Sequence, residues 1–500
     1  MLQDIKKTSK HTSIYALSNI AIKAIGLVLL PLYTNEAYLS PDDFGALALL
    51  EATVQILISL LSFALGSSLT RWYWDDKYKN KQKSIFFTIL AFLVIINIPS
   101  LYLLISNAPI LAKLIFQSIS YTYLLRISFI TVFIRIFNTL ILQLLQLQYK
   151  SIFYAILNSI RLTIILTLTV FAITKYDRGL DGIWEAALIG ELVILIITVP
   201  YILKNIRFSI EWYILKEMIK YSYPLVISNI AVIALTVTDR YMLHYMSGLA
   251  VTGVYSLGLR LANTLKIIIT DSIMSALSPL RMKKINDTNN HRFFSKIATY
   301  TSYIFILALI CVSLFSLEAI KIITKTKEYW EAASIIGILG FAFLFSLLRI
   351  NFTTGLIITK KTKILGSLTF ISAILNIGLN LIFIPIWGIY GAAIATLCAQ
   401  ILYMILTYRY AQKAYHIPYE IKKLAIIISV ASIIILLGIT FKDLNITMRL
   451  LLKCILLIIF PFILHFFNFY ERIEIENIRI IFQSWKSPRN LRKNIKRLIS

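Results

Sequence analysis

Apolar runs of 18 or more residues recur along the whole chain, and nothing else constrains its fold as strongly. Each run is long enough to cross the ~30 Å hydrocarbon core of a bilayer as a helix. Barrel strands would instead alternate over about ten residues, and open strands leave backbone groups unpaired in lipid. Fourteen spans are predicted, at 12–35, 44–70, 84–106, 121–147, 151–174, 182–203, 221–246, 250–279, 297–320, 332–359, 364–386, 389–412, 423–441 and 446–468. The expected fold is therefore an all-α polytopic membrane protein. The basic-then-apolar start reads as a retained first helix, being too long for a signal-peptide core.

Composition matters here mainly through charge. The chain carries 50 basic against 24 acidic residues, a net charge of +26. With the N-terminus in the cytoplasm, inner segments and their flanks hold 33 Lys and Arg and the outer loops hold 7. That asymmetry is the positive-inside pattern. It explains the charge without nucleic acid and predicts that both termini are cytoplasmic. No outer loop exceeds about fifteen residues, so there is no room for a soluble catalytic domain. A membrane glycosyltransferase or polymerase would need such a loop, with groups for acid–base work. The five histidines are scattered, and Cys311, Cys398 and Cys454 have no metal-binding spacing. We read a non-enzyme with no cofactor.

The chain repeats internally. "SNIAI" at 18–22 returns as "SNIAV" at 228–232, and Gly45 matches Gly253. "RIFNT" at 135–139 matches "RINFT" at 349–353, and "GIWEAA" at 182–187 matches "GIYGAA" at 388–393. The offsets, 206 to 214, equal six spans, which preserves orientation. Two parallel-related lobes follow: 1–203 and 221–412, joined by a linker at 204–220. An extra helix pair at 423–468 and a basic tail at 469–500 complete the expected layout. Two facing bundles of this kind enclose a central cavity.

Charges inside spans cost ~2.5–3.5 kcal/mol each at helix centre, so they mark function unless they snorkel to an end. Several share a helix face by spacing. Asn19 and Lys23 do so on the first span, Arg135 on the fourth with Asn138, and Asn229, Thr236 and Arg240 on the seventh. Arg260 lies with Gly253 and Asp271 on the eighth. Lys266 and Arg349 are further basic candidates, and Asn376 and Asn380 further polar ones. Bases outnumber acids on these faces, which implies an anionic group in the cargo. Arginine suits phosphate because its planar fork makes bidentate bonds. Asp239, Asp271 and Glu191 are the candidate ion-coupling acids. For Asp239 and Arg240 a local, helix-capping ion pair is the alternative. Glu185 and Glu318 read as helix-end charges, and Arg449 and Lys453 have no cavity to face.

Three stretches carry a family resemblance. "MIKYSYPLVISNI" with "TDRYMLHYMSGLAVTGVYSLGLRLAN" opens the second half, "LNIGLNLIFIPIWGIYGAAIAT" covers 375–396, and "LLPLYTNEAYLSPDDFGALAL" covers 29–49. Together they resemble the Wzx-type polysaccharide flippases of the multidrug/oligosaccharidyl-lipid/polysaccharide exporter superfamily. The resemblance implies a V-shaped transporter in the bacterial inner membrane. Its cargo would be an undecaprenyl-pyrophosphate-linked oligosaccharide, an O-antigen or capsule unit, moved outward by alternating access. It also implies membrane lipids and polysaccharide polymerase machinery as neighbours. Related lipid II flippases hold pyrophosphate with bases on their first and eighth helices, where Lys23 and Arg260 stand here. A lipid II flippase and a drug exporter remain alternatives in the same fold, the latter predicting an acidic cavity.

Overall fold

A computed structural model describes residues 26–284, 290–472 and 475–476. Among them, eleven helices are long and apolar enough to cross a membrane. The N-terminal part holds α1 (Pro41–Leu61), α2 (Leu65–Tyr73), α3 (Gln82–Ser106), α4 (Thr122–Leu147), α5 (Ser151–Thr174) and α6 (Gly179–Asn205). The C-terminal part holds α7 (Trp212–Ser247), α8 (Leu249–Leu265), α9 (Ser272–Lys284), α10 (Asn290–Leu314), α11 (Ser316–Ile323), α12 (Ala332–Phe352) and α13 (Thr362–Ala414). The added pair is α14 (Ile421–Thr440) and α15 (Ile446–Phe466). The inner half of the expected first span and most of the basic tail lie outside the described residues.

Local chemistry sets the helix ends. Ser40 caps α1 by accepting from the Asp43 N–H at 3.1 Å, while the Asp43 carboxylate accepts from the Ser40 N–H at 3.0 Å. Pro41 at the first helical position fits because its missing N–H has no partner to lose there. The acidic pair Asp42 and Asp43 therefore opens α1, with Asp43 in a capping box. Near the other end, Gly388 takes a left-handed φ of 52° and folds α13 into two arms. The arms match the expected spans at 364–386 and 389–412. α7 begins at Trp212, inside the segment expected as the linker at 204–220. In "WYILKEMIK" the side chains of Ile214, Leu215 and Met218 share one helical face and bury it.

The repeat is visible as matched interruptions. Eighteen residues past Gly45, Phe63 and then Ala64 are left-handed, with φ of 49° and 50°, and separate α1 from α2. At the equivalent depth past Gly253, Lys266–Asp271 forms a π-turn between α8 and α9. The first interruption is a left-handed break, whereas the second keeps right-handed helical backbone at both ends. Between the lobes, α1 packs on α8 and α7. A Cβ on Gly253 would lie 2.5 Å from the Pro41 carbonyl oxygen, and one on Gly45 would overlap the Leu249 carbonyl. Lipid gives helices no hydrophobic drive to associate, so small residues at a crossing are what permit close packing. The two glycines matched by the repeat meet each other across the lobe boundary.

The added pair shows why α15 keeps two cations in an apolar run. Met448, Leu451, Ile455, Ile458, Phe462 and Phe466 are exposed, as lipid-facing side chains should be. Arg449, Lys453, Phe460 and Leu464 are buried on the opposite face. Glu318 on α11 accepts from Lys453 at 2.8 and 2.9 Å and lies 2.7 Å from the Arg449 Nε. Glu318 is therefore a clamp for α15 rather than a loose helix-end charge. Removing one member of a buried ion cluster costs about 3–5 kcal/mol. Glu318→Ala should lower the detergent melting temperature sharply and release α15 to proteolysis, whereas a wild-type melt would contradict the clamp.

Candidate functional site

The interlobe space holds a polar cavity of about 460 Å³, lined by α1, α4, α6, α8 and the π-turn. Its charged walls are Glu51, Arg135, Arg260, Lys266 and Asp271, with Gln55, Asn263 and Thr264 between them. Two other depressions, one beside Val28 and Phe171 and one between α14 and α15, are lined almost wholly by apolar side chains. They offer little to a charged group.

Arg260 reaches across the lobes to Glu51, with Nη2 2.6 Å from Oε2, and its guanidinium lies 5.2 Å from the Phe44 ring centroid. Arg135 donates from Nε to Glu191 Oε1 at 2.8 Å, while its side chain remains 28% exposed to the cavity. Glu191 is buried behind it. Arg161 approaches the same carboxylate at 3.5 Å, and Asn138 donates to its other oxygen at 2.8 Å. Glu191 is thus a counter-ion shared by two arginines, not a carboxylate free to exchange with solvent. Lys266 lies 6.0 Å from the Phe343 ring. Counting Arg135, Arg161, Arg260 and Lys266 against Glu51, Asp271 and Glu191 leaves one net positive charge. The basic excess is smaller than the sequence stripes imply, because carboxylates pair with the arginines.

Other expected residues lie elsewhere. Arg240 is buried and turned from the cavity, donating to the Ala48 carbonyl at 3.2 Å and the Thr236 carbonyl at 3.3 Å. There α1 covers the face of α7, as the 2.6 Å Thr53–Tyr241 bond also shows. Arg349 packs its guanidinium 4.3 Å from the Tyr403 ring, between α12 and the second arm of α13. Thr236 is exposed but bonds back to Ile233 on its own helix at 2.9 Å. Asn229 lines a second, smaller compartment with Gln143. Asn19 and Lys23 lie outside the described residues.

Asp239 and Arg240 take different partners. Asp239 accepts the Arg240 backbone N–H at 2.8 Å and the Tyr255 hydroxyl. Thr396 lies close to the Tyr255 hydroxyl. Asn376 lies 3.5 Å from Thr396, and Asn380 donates to Asn376 at 3.2 Å. Asp239, Tyr255, Asn376 and Asn380 are all buried, and none of them is among the residues that line the cavity.

Sequence reasoning did not place Glu51, Arg161 or Trp184 at the site. For Glu51 a signal existed. It sits six residues after Gly45, and Arg260 sits seven after Gly253, so the repeat puts opposite charges at matching depth on the two helices that cross. The pairing needs the crossing itself, which a single lobe does not reveal.

A family model described as polysaccharide biosynthesis protein matches residues 9–284. No curated protein matches the chain. Among solved structures, the fold is similar to that of the lipid II flippase MurJ in an inward closed conformation. The TM-score is 0.71 at 17% identity, covering 91% of this chain and 100% of that one. The MATE multidrug transporter DinF-BH follows the same course with a TM-score of 0.64 at 16% identity, covering 82% and 96%. A transporter of the MOP superfamily from Pyrococcus furiosus gives 0.57 at 15%, covering 80% and 94%. With a family match over more than half its length, the chain belongs to the polysaccharide biosynthesis protein family, and its fold is the one these transporters share.

Proposed function

We propose that the protein carries an oligosaccharide, linked through pyrophosphate to undecaprenol, from the inner to the outer leaflet of a bacterial cytoplasmic membrane. The O-antigen or capsule repeat unit is the cargo class. Lobes 1–203 and 221–412 alternate access around the cavity. The observation that supports this reading is the Arg260–Glu51 pair between the lobes, inside a cavity with one net positive charge. A pyrophosphate displaces Glu51 from the Arg260 fork, because two phosphates offer more acceptor oxygens than one carboxylate. Anion binding and interlobe contact then compete for the same guanidinium. A drug exporter for cations would instead need an acidic excess.

In a bacterium lacking its own O-unit flippase, expression of this chain should restore surface polysaccharide. Arg260→Ala should remove that rescue at an unchanged membrane level. Glu51→Gln leaves Arg260 unpaired, so it should bind undecaprenyl pyrophosphate several-fold tighter and release it more slowly. Wild-type rescue by Arg260→Ala would count against the assignment.

Asp239 is our coupling acid, the carboxylate at one end of the Tyr255–Thr396–Asn376–Asn380 chain. A ligand binding one lobe state better than the other shifts the balance between them. Asp239→Asn should therefore make transport insensitive to the imposed ion gradient while lipid binding persists. Unchanged gradient dependence would shift the role to Asp271.

A further inference from the structure

The second compartment adjoins the charged one but has a different chemistry. Ile58 lines both. Along α4, Arg135, Thr139 and Gln143 are spaced four apart and share a face, which runs from one compartment into the other over ~12 Å. Among the described residues, no charged one lines this second space, whose volume is about 170 Å³. That is the share of roughly five or six waters, room for a single sugar ring and not for a chain.

Its polar groups are the primary amides of Gln143 and Asn229 and the hydroxyls of Ser62, Ser67 and Thr139, in an apolar frame. Gln143 donates to Thr70 at 2.8 Å. Its oxygen lies over Gly66, where a Cβ would overlap it, so the missing side chain at Gly66 sets the Gln143 orientation. The Asn229 side chain is exposed and has no hydrogen-bond partner among the described residues. Primary amides donate and accept, which matches sugar hydroxyls and acetamido groups. Ile136 and Leu140 supply an apolar wall for the C–H face of a ring. A carboxylate placed here would find no cation among the described residues to offset its partial desolvation.

We infer that this compartment is a specificity subsite for the sugar attached directly to the pyrophosphate, and that it selects an uncharged ring over a hexuronate. The inference rests on the cargo reading above. Phosphate charge is held by Arg260 and its neighbours, and the first sugar is read by Gln143 and Asn229.

The test is a set of affinities for the full-length protein in nanodiscs. The ligands are undecaprenyl pyrophosphate and the same lipid bearing one N-acetylglucosamine or one glucuronate. Wild type should bind the N-acetylglucosamine lipid about tenfold tighter than the bare lipid, and the glucuronate lipid no tighter. Gln143→Leu and Asn229→Ala should each lose the gain and keep the bare-lipid affinity, which also reports that the variants are folded. A wild type with no gain from N-acetylglucosamine, an equal gain from glucuronate, or a gain that survives both substitutions overturns the subsite. Failure of wild type to bind even the bare lipid overturns the cargo reading, and the subsite falls with it.

Discussion

Gly253→Ala should stop transport while leaving the protein in the membrane. One added methyl group would stand 2.5 Å from the Pro41 carbonyl oxygen and 3.1 Å from the Gly45 nitrogen. Both obstacles are backbone, so no side chain can turn aside, and α1 and α8 must separate. Overpacking of this kind costs about 1–3 kcal/mol. At a contact made in one conformation and broken in another, that cost shifts the population by about 5- to 150-fold. Gly45→Ala should act alike, since its Cβ would overlap the Leu249 carbonyl. Among the described residues, Gly366 has no atom within 4 Å of such a Cβ, so Gly366→Ala should transport normally. A cysteine at Ala48, which is buried at the same seam, reads the opening. With the three native cysteines replaced, its labelling should rise in the Gly253→Ala background. Full transport with unchanged labelling would show that the seam is not a moving contact.

Glu191→Ala should be the most damaging single substitution in the N-terminal lobe. The carboxylate is 1% exposed and serves Arg135, Arg161 and Asn138 together. Without it two guanidiniums face each other with no counter-charge, at a cost of about 3–5 kcal/mol. That is a large part of the stability of an ordinary domain, so the variant should fail to accumulate. Glu191→Gln keeps a hydrogen-bonding oxygen but loses the charge. Adding Arg161→Met removes the surplus cation, and the double variant should recover abundance beyond the sum of the single effects. If Glu191→Ala accumulates and transports normally, the carboxylate is not the hub of this network.

The long apolar helices, the break between the spans at 364–386 and 389–412, and the match of Gly45 with Gly253 were legible because each depends on local pattern: apolar length, a helix interruption, a missing side chain. The sorting of the basic residues was not. Arg240 and Arg260 both lie in apolar helices and both fall on polar stripes. Only the way α1 presses on α7 beside Ala48, and leaves α8 open beside Asn263, sends one to a backbone carbonyl and the other to the cavity. Arg349 escapes the reading for the same reason, since Tyr403 reaches it from an arm more than fifty residues later. Glu318 finds Lys453 from 135 residues away. In each case the partner is set by tertiary packing, and helical spacing says nothing about which neighbour covers a face.

The most direct test is translocation of undecaprenyl-pyrophosphate-linked N-acetylglucosamine in proteoliposomes holding this protein alone, read by the appearance of the sugar on the opposite leaflet. The account predicts translocation by wild type, and a loss of about tenfold or more in initial rate for Arg260→Ala, the size expected when a charged hydrogen-bond partner of the cargo is removed. Translocation by Arg260→Ala at the wild-type rate would contradict the claim that this cavity holds the pyrophosphate.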